Sequence, residues 1–129
     1  LDAGLLCAKS GLDAQTIING NAIFEEFKGS LTEQYVLQEL KAQKELFIAY
    51  WSKKSGTAEV DFVIQDNSKI IPVEVKASVN LKAKSLASYR EQYQPEKAIR
   101  TSLADFEING GLYNIPLYLI ENLSGILKK

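Results

Sequence analysis

The sequence predicts a single α/β domain: a mixed β-sheet, made of an antiparallel three-strand meander plus later strands, flanked by helices. Three observations predict it. A helical stripe of apolar residues runs into three β-rich segments separated by turn signals. An amphipathic stretch follows them, and two more β-rich segments come near the end. Helix, three strands, helix, two strands is an α/β order, and 129 residues hold one ordinary core rather than two.

The opening stretch from Leu1 to Leu12 mixes small and apolar residues and predicts a short helix ending near Ser10-Gly11. Asn19-Gly20-Asn21 is a turn signal. From Ser30 the run LTEQYVLQELKAQKEL places Val36, Leu37, Leu40 and Leu46 at helical spacing. Everything before Gly29 reads as a lead-in, so residues 1–28 are assigned to a helical or loop lead-in from a larger protein and 29–129 to the domain. LFIAYWS, AEVDFVI and KIIPVEVKAS are rich in β-formers, and Lys53-Lys54-Ser55-Gly56 and Asp66-Asn67-Ser68 are the turns between them. Pro72 cannot donate to a ladder, so it is expected at a bulge or where its missing N–H faces no partner. Leu81, Leu86 and Tyr89 space a second helix that Pro95 closes. AIRTSL and IPLYLI are predicted as strands around a turn at Asn109-Gly110-Gly111, and ENLSGILKK as a last helical turn.

Composition narrows the chemistry. Fifteen basic against sixteen acidic residues give a net charge of -1, which argues against a surface that is wholly a phosphate-binding field. Residues 69–100 nevertheless carry seven basic residues against three acidic ones, a local excess that suits either a phosphate backbone or a solvated helix face. Tyr89 and Tyr93, one turn apart, suit base stacking or simple cover for the sheet. The chain has no histidine and a single cysteine, Cys7, which excludes histidine-based triads, His-ligated zinc and an internal disulfide. Any metal must be held by oxygen. No apolar run reaches membrane-span length and there is no Gly-Lys phosphate loop, so a soluble, cytoplasmic chain with no membrane partner and no ATPase activity of its own is expected. The chain opens at Leu1 and holds no methionine, as expected of a piece of a larger protein.

One constellation carries chemistry. Strand alternation sends Val60, Phe62 and Ile64 to one side and Glu59, Asp61 and Val63 to the other. It also puts Glu74 and Lys76 together, opposite Ile71, Val73 and Val75. A short hairpin turn then lets Asp61 and Glu74 converge. Mg²⁺ prefers oxygen ligands and is typically bound by one or two carboxylates plus substrate phosphates, which suits Asp61 and Glu74 as ligands. A lysine two residues from a ligand suits activation of water or stabilisation of a phosphate in the transition state, the role open to Lys76. Helical counting puts Glu33 in line with Leu37 and Leu40, facing the sheet, where it adds a further metal-side carboxylate. Each residue has a plainer reading: Ser30-x-x-Glu33 also fits a capping box, Asp61 a polar strand face, and Glu74 with Lys76 an ordinary charge pair.

Together, the spacing resembles the PD-(D/E)XK nuclease-like superfamily. The resemblance implies a restriction-endonuclease-like core, with Glu33 as the first-helix acid, Asp61 as the motif aspartate and Glu74 with Lys76 as the (D/E)XK pair. It further implies Asp61, Glu74 and Glu33 around Mg²⁺ or Mn²⁺, and Lys76 and Glu33 as catalytic groups. More narrowly, GSLTEQYVLQEL, AEVDFVI, IPVEVKAS, KSLASY and IPLYLI, in that order, resemble a C-terminal domain of unknown function that follows an AAA-type ATPase module in prokaryotic proteins. This implies an N-terminal ATPase module in the parent chain and a DNA phosphodiesterase or DNA-binding module. The alternative is a non-catalytic regulatory or protein-interaction domain that retains the fold.

Overall fold

The computed structural model describes residues 2–11, 15, 22–79 and 82–128. The expected turn at residues 19–21 and the expected contact of Leu81 lie outside them. The elements in chain order are α1 (Ala3–Lys9), α2 (Ala22–Ala42), β1 (Phe47–Ser52), β2 (Glu59–Asp66) and β3 (Lys69–Val75), then α3 (Lys84–Tyr93), β4 (Ala98–Ser102), β5 (Glu107–Asn109) and β6 (Leu112–Pro116). A 3₁₀ helix (Leu117–Asn122) and α4 (Leu123–Leu127) follow. The six strands form one mixed sheet in the order β1-β2-β3-β4-β6-β5, flanked by the helices.

The first helix ends as its composition predicts: Ser10 caps it and Gly11, at φ 66°, turns the chain away. The helix α2 starts earlier than its sequence suggests. Gly29 and Ser30 lie inside it, so the apparent cap at Ser30 is not a cap. An interior glycine costs about 1 kcal/mol relative to alanine, and burial of Val36 and Leu40, both fully inaccessible, outweighs it. Leu46 is buried as expected, just beyond the helix end.

β1, β2 and β3 form the expected antiparallel meander. Pro72 pairs with Val63, but the parallel ladder to β4 begins only at Val73, so the proline lies just outside it on that side. β4 runs parallel to β3 and to β6. The end of the sheet departs from expectation in two ways. Glu107–Asn109 pairs with Leu112–Asn114 as a hairpin, adding the edge strand β5. The predicted strand IPLYLI stops at Pro116, and Leu117–Asn122 coils into the 3₁₀ helix instead. An apolar run without alternation serves a strand or a buried helical turn equally, and here Ile120 and Leu123 cap the core with no exposure.

The sheet separates two apolar clusters. Val36 and Leu40 of α2 pack with Phe62, Ile64, Val73 and Ile99 on one face, closed by the C-terminal helical turns. On the other face Leu86 and Tyr89 of α3 pack with Val60 and Ala98. Gln43 ties α2 to the C-terminal turns: its Nε2 donates to Ile120 O (2.8 Å) and its Oε1 accepts from Ser124 N (2.8 Å).

Candidate functional site

The simple alternation expected for β2 is broken by a bulge. Ala49 pairs with Val63 and Trp51 with Val60, so Tyr50 of β1 stands opposite two residues of β2, Asp61 and Phe62. Val60 therefore packs with the α3 cluster while Phe62 and Ile64 pack with the α2 cluster, which corrects the expectation that all three share a face. Val63 joins Val60 on the α3 side. A bulge bends its strand and re-aims a side chain, and here that side chain belongs to Asp61.

The β2–β3 ladder runs from Asp66 and Lys69 to Phe62 and Val73. One step further, the Asp61 carboxylate takes the place of a backbone partner: its Oδ2 accepts from Val75 N at 2.6 Å. This brings it beside Glu74, the residue before Val75. Glu74 is held from the other side, because its strand pairs with β4 at Arg100 and Thr101 and Lys76 N donates to Thr101 O (2.8 Å). Glu74 and Lys76 share a face as predicted, with Lys76 Nζ 2.7 Å from Glu74 Oε1. Glu74 is 6% exposed and its Oε2 is buried without a hydrogen-bond partner. A carboxylate oxygen in that position is costly unless a water or an ion completes it.

Glu33 is placed differently from its prediction. Its side chain is exposed rather than turned into the core, and with Ser30 inside α2 it is not a capping residue. Its carboxyl reaches a cleft of about 330 Å³ that it lines with Tyr50, Trp51, Glu59 and Asp61. Partial desolvation, then repulsion from Glu59 and Glu74, raises its pKa, and Lys76 opposes the rise. The Asp61 carboxyl is pushed from 3.8 to about 7, first by burial and further by Glu74 and Glu33, against the Val75 N–H bond and Lys76. Asp61, Glu74 and Lys76 are thus assembled at one end of the hairpin, with Glu33 at the rim. Among the described residues, no three acidic or other ligating side chains close into a ready cage.

Glu59 and Tyr50 line the cleft without having been site candidates from the sequence. Alternation puts Glu59 on the face of Asp61, two residues away, and that spacing is its signal. Tyr50 carries no such signal, because its place opposite Asp61 depends on the bulge.

The family described as Domain of unknown function (DUF4143) matches residues 28–120. The chain belongs to that family. The DUF4143 match starts inside α2 and ends inside the 3₁₀ helix, so it takes in the whole sheet and every residue of the acidic site. No curated protein matches the chain. Among the described residues, no helix is long and apolar enough to cross a membrane.

Proposed function

We propose that this DUF4143 chain is a nuclease-like domain of the PD-(D/E)XK type, a metal-dependent DNA phosphodiesterase joined in its parent protein to an N-terminal ATPase module. The observation that carries the reading is that Asp61, through its bond to Val75 N, lies beside Glu74 at the open end of one hairpin. There Glu74 keeps one buried oxygen without a partner and gives the other to Lys76. The donors fit a hard cation: all are oxygens, Mg²⁺ needs only one or two carboxylates beside water and phosphate, and a cation would relieve the repulsion from Glu74 and Glu33 that adds to burial in raising Asp61. Asp61 and Glu74 would hold Mg²⁺ or Mn²⁺, and Glu33 would reach it through water from the rim. Such an ion supplies Lewis-acid polarisation of the phosphate and a more acidic bound water.

The chain's own groups supply the rest. Val75 N–H and the β3–β4 ladder fix the two carboxylates in place. Lys76, partly exposed beside them, would orient the attacking water or stabilise charge building on the phosphate oxygens. The test is incubation of the chain with single- and double-stranded DNA in Mg²⁺ or Mn²⁺. Cleavage that is lost in Asp61→Asn and Lys76→Ala supports the reading. Absence of cleavage by the native chain, or equal cleavage by both variants, rejects it.

A second reading is a regulatory or protein-interaction module that retains the fold. What favours it is that, among the described residues, no three ligating side chains close into a group that could hold a metal ion. It predicts no calorimetric binding of Mg²⁺ or Mn²⁺.

A further inference from the structure

The strand register extends the acidic site into a polar row across the α3 face of the sheet. Glu74 pairs with Arg100 on β4, Arg100 with Asn114 on β6, and Asn114 with Glu107 on β5. Paired residues on neighbouring strands share a face and stand about 4.8 Å apart, so Arg100 is one strand from Glu74. The apolar neighbours on this face, Ala98 and Leu112, belong to the α3 cluster and confirm the side.

Over the outer half of the row lies a hollow of about 290 Å³, lined by Arg90 of α3 together with Arg100, Asn109, Gly110 and Asn114. Both guanidiniums are held in position. Arg90 Nη2 donates to the neutral carbonyl of Gly110 at 2.8 Å, which anchors its charge without cancelling it. Arg100 Nε donates to Asn114 Oδ1 at 3.2 Å. Asn114 is 2% exposed and is itself fixed by Ser102 Oγ (3.1 Å) and by its own bond to Asp105 O (2.6 Å). The two guanidiniums supply N–H donors at this hollow, while the Asn114 amide is spent on Arg100, Ser102 and Asp105. One carboxylate, Glu107, also lines the hollow from the edge strand opposite Asn114, so two guanidiniums stand there against one acid. Planar guanidinium forks match phosphate oxygens better than they match any neutral group.

We propose that this hollow seats a phosphate group of a nucleic-acid strand, with Arg90 and Arg100 as its donors, adjacent to the phosphate presented to Asp61 and Glu74. The inference rests on the phosphodiesterase reading and adds to it a direction: the strand leaves the acidic site toward β4 and β6, alongside α3. The sheet face then carries acid at one place and guanidinium one strand away, which sets where a strand lies before any base is read.

The test is titration of the full chain with a fluorescein-labelled single-stranded DNA oligonucleotide over a range of salt. Native protein is compared with Arg90→Gln, and with Arg100→Lys, which keeps the charge while losing the fork. Both variants are checked for native circular dichroism. The expected result is about tenfold weaker binding in Arg90→Gln, a salt slope shallower by about 0.7 for the lost contact, and weakened binding in Arg100→Lys. Native affinity and slope in both variants overturn the subsite. So does inorganic phosphate binding to the arginines while the oligonucleotide gains nothing from them. Cleavage separates the two readings. Metal-dependent cleavage with an unchanged KM in both arginine variants rejects the subsite and leaves the phosphodiesterase. Arginine-dependent oligonucleotide binding without cleavage keeps the subsite and rejects hydrolysis.

Discussion

Replacing Asp61 by asparagine tests the acidic site through stability alone. Asparagine keeps the shape and the oxygen that accepts from Val75 N, and removes the charge. Moving a carboxyl from 3.8 to about 7 sets about 4 kcal/mol against its ionised form. Partial solvent access to this side chain brings the expected effect on folding to ~2 kcal/mol. The sign follows from the direction of the rise. The folded chain holds this proton more tightly than the unfolded chain, so the cost is absent below 3.8, grows as pH rises, and is complete above about 7. Asp61→Asn is therefore expected to match native stability at about pH 4 and to exceed it by ~2 kcal/mol at about pH 8, roughly 5–10 °C in Tm for a chain of this size. Urea denaturation of both proteins at the two pH values measures it. An asparagine variant no more stable than native at the higher pH, or equally more stable at both, refutes the raised pKa that burial, with Glu74 and Glu33, imposes on Asp61. A cation on Asp61 and Glu74 favours the ionised carboxylate, so added Mn²⁺ should raise native stability and narrow the gap at the higher pH.

Three further substitutions test the frame that holds the site. Leu40→Ala empties a fully inaccessible position between α2 and the sheet and should cost about 2–5 kcal/mol in urea denaturation. Gln43→Ala strips the hydrogen bond from Ile120 O and leaves Ser124 N without its acceptor. It should cost about 2–3 kcal/mol and speed amide exchange in the C-terminal turns before the rest of the sheet. Gly111→Ala puts a Cβ 2.7 Å from Glu96 O at a residue with φ 78°. Strain and clash together should cost about 2–3 kcal/mol, and a Tm within about 1 °C of native would show that this hairpin tolerates a side chain.

Much of this fold is legible where one physical signal dominates. The stripe of Val36 and Leu40 defines a helix face because both residues must leave water. The meander reads clearly because each turn is marked: Gly56 takes φ 69° between β1 and β2, and Asn67 takes φ 55° between β2 and β3. Signals fail where tertiary packing outweighs them. Gly29 and Ser30 look like a helix boundary, yet α2 passes through both. IPLYLI has strand composition, yet Pro116 ends β6 and the run turns to bury Ile120. The three-residue strand β5 shows every side chain to solvent, so no burial pattern marks it.

The same division runs through the site. Glu74 and Lys76 are legible because an i, i+2 pair on a regular strand must share a face, and they meet at 2.7 Å. Asp61 was expected to reach Glu74 by alternation, but alternation is what β2 abandons there. With regular pleating, Val60 and Phe62 would share one core; the bulge sends them to opposite clusters and leaves Asp61 between the two faces, in line with the backbone of β3. From that position its charge is felt both by Glu74 within the sheet and by Glu33 on α2, on the opposite side of the sheet from α3. A one-residue change of register is not specified by the sequence, because AEVDFVI reads as an alternating strand from Glu59 to Phe62, across the bulge itself. It is nevertheless what lets carboxylates from a helix and two strands act on one another, and removing it should separate Glu33 from the pair. Deleting Tyr50, the residue opposite the bulge, would lengthen the mismatch rather than cure it. Inserting one residue beside Tyr50 would restore one-to-one pairing, turn Asp61 toward a single face and, by this reasoning, lower its carboxyl back toward the ordinary aspartate range.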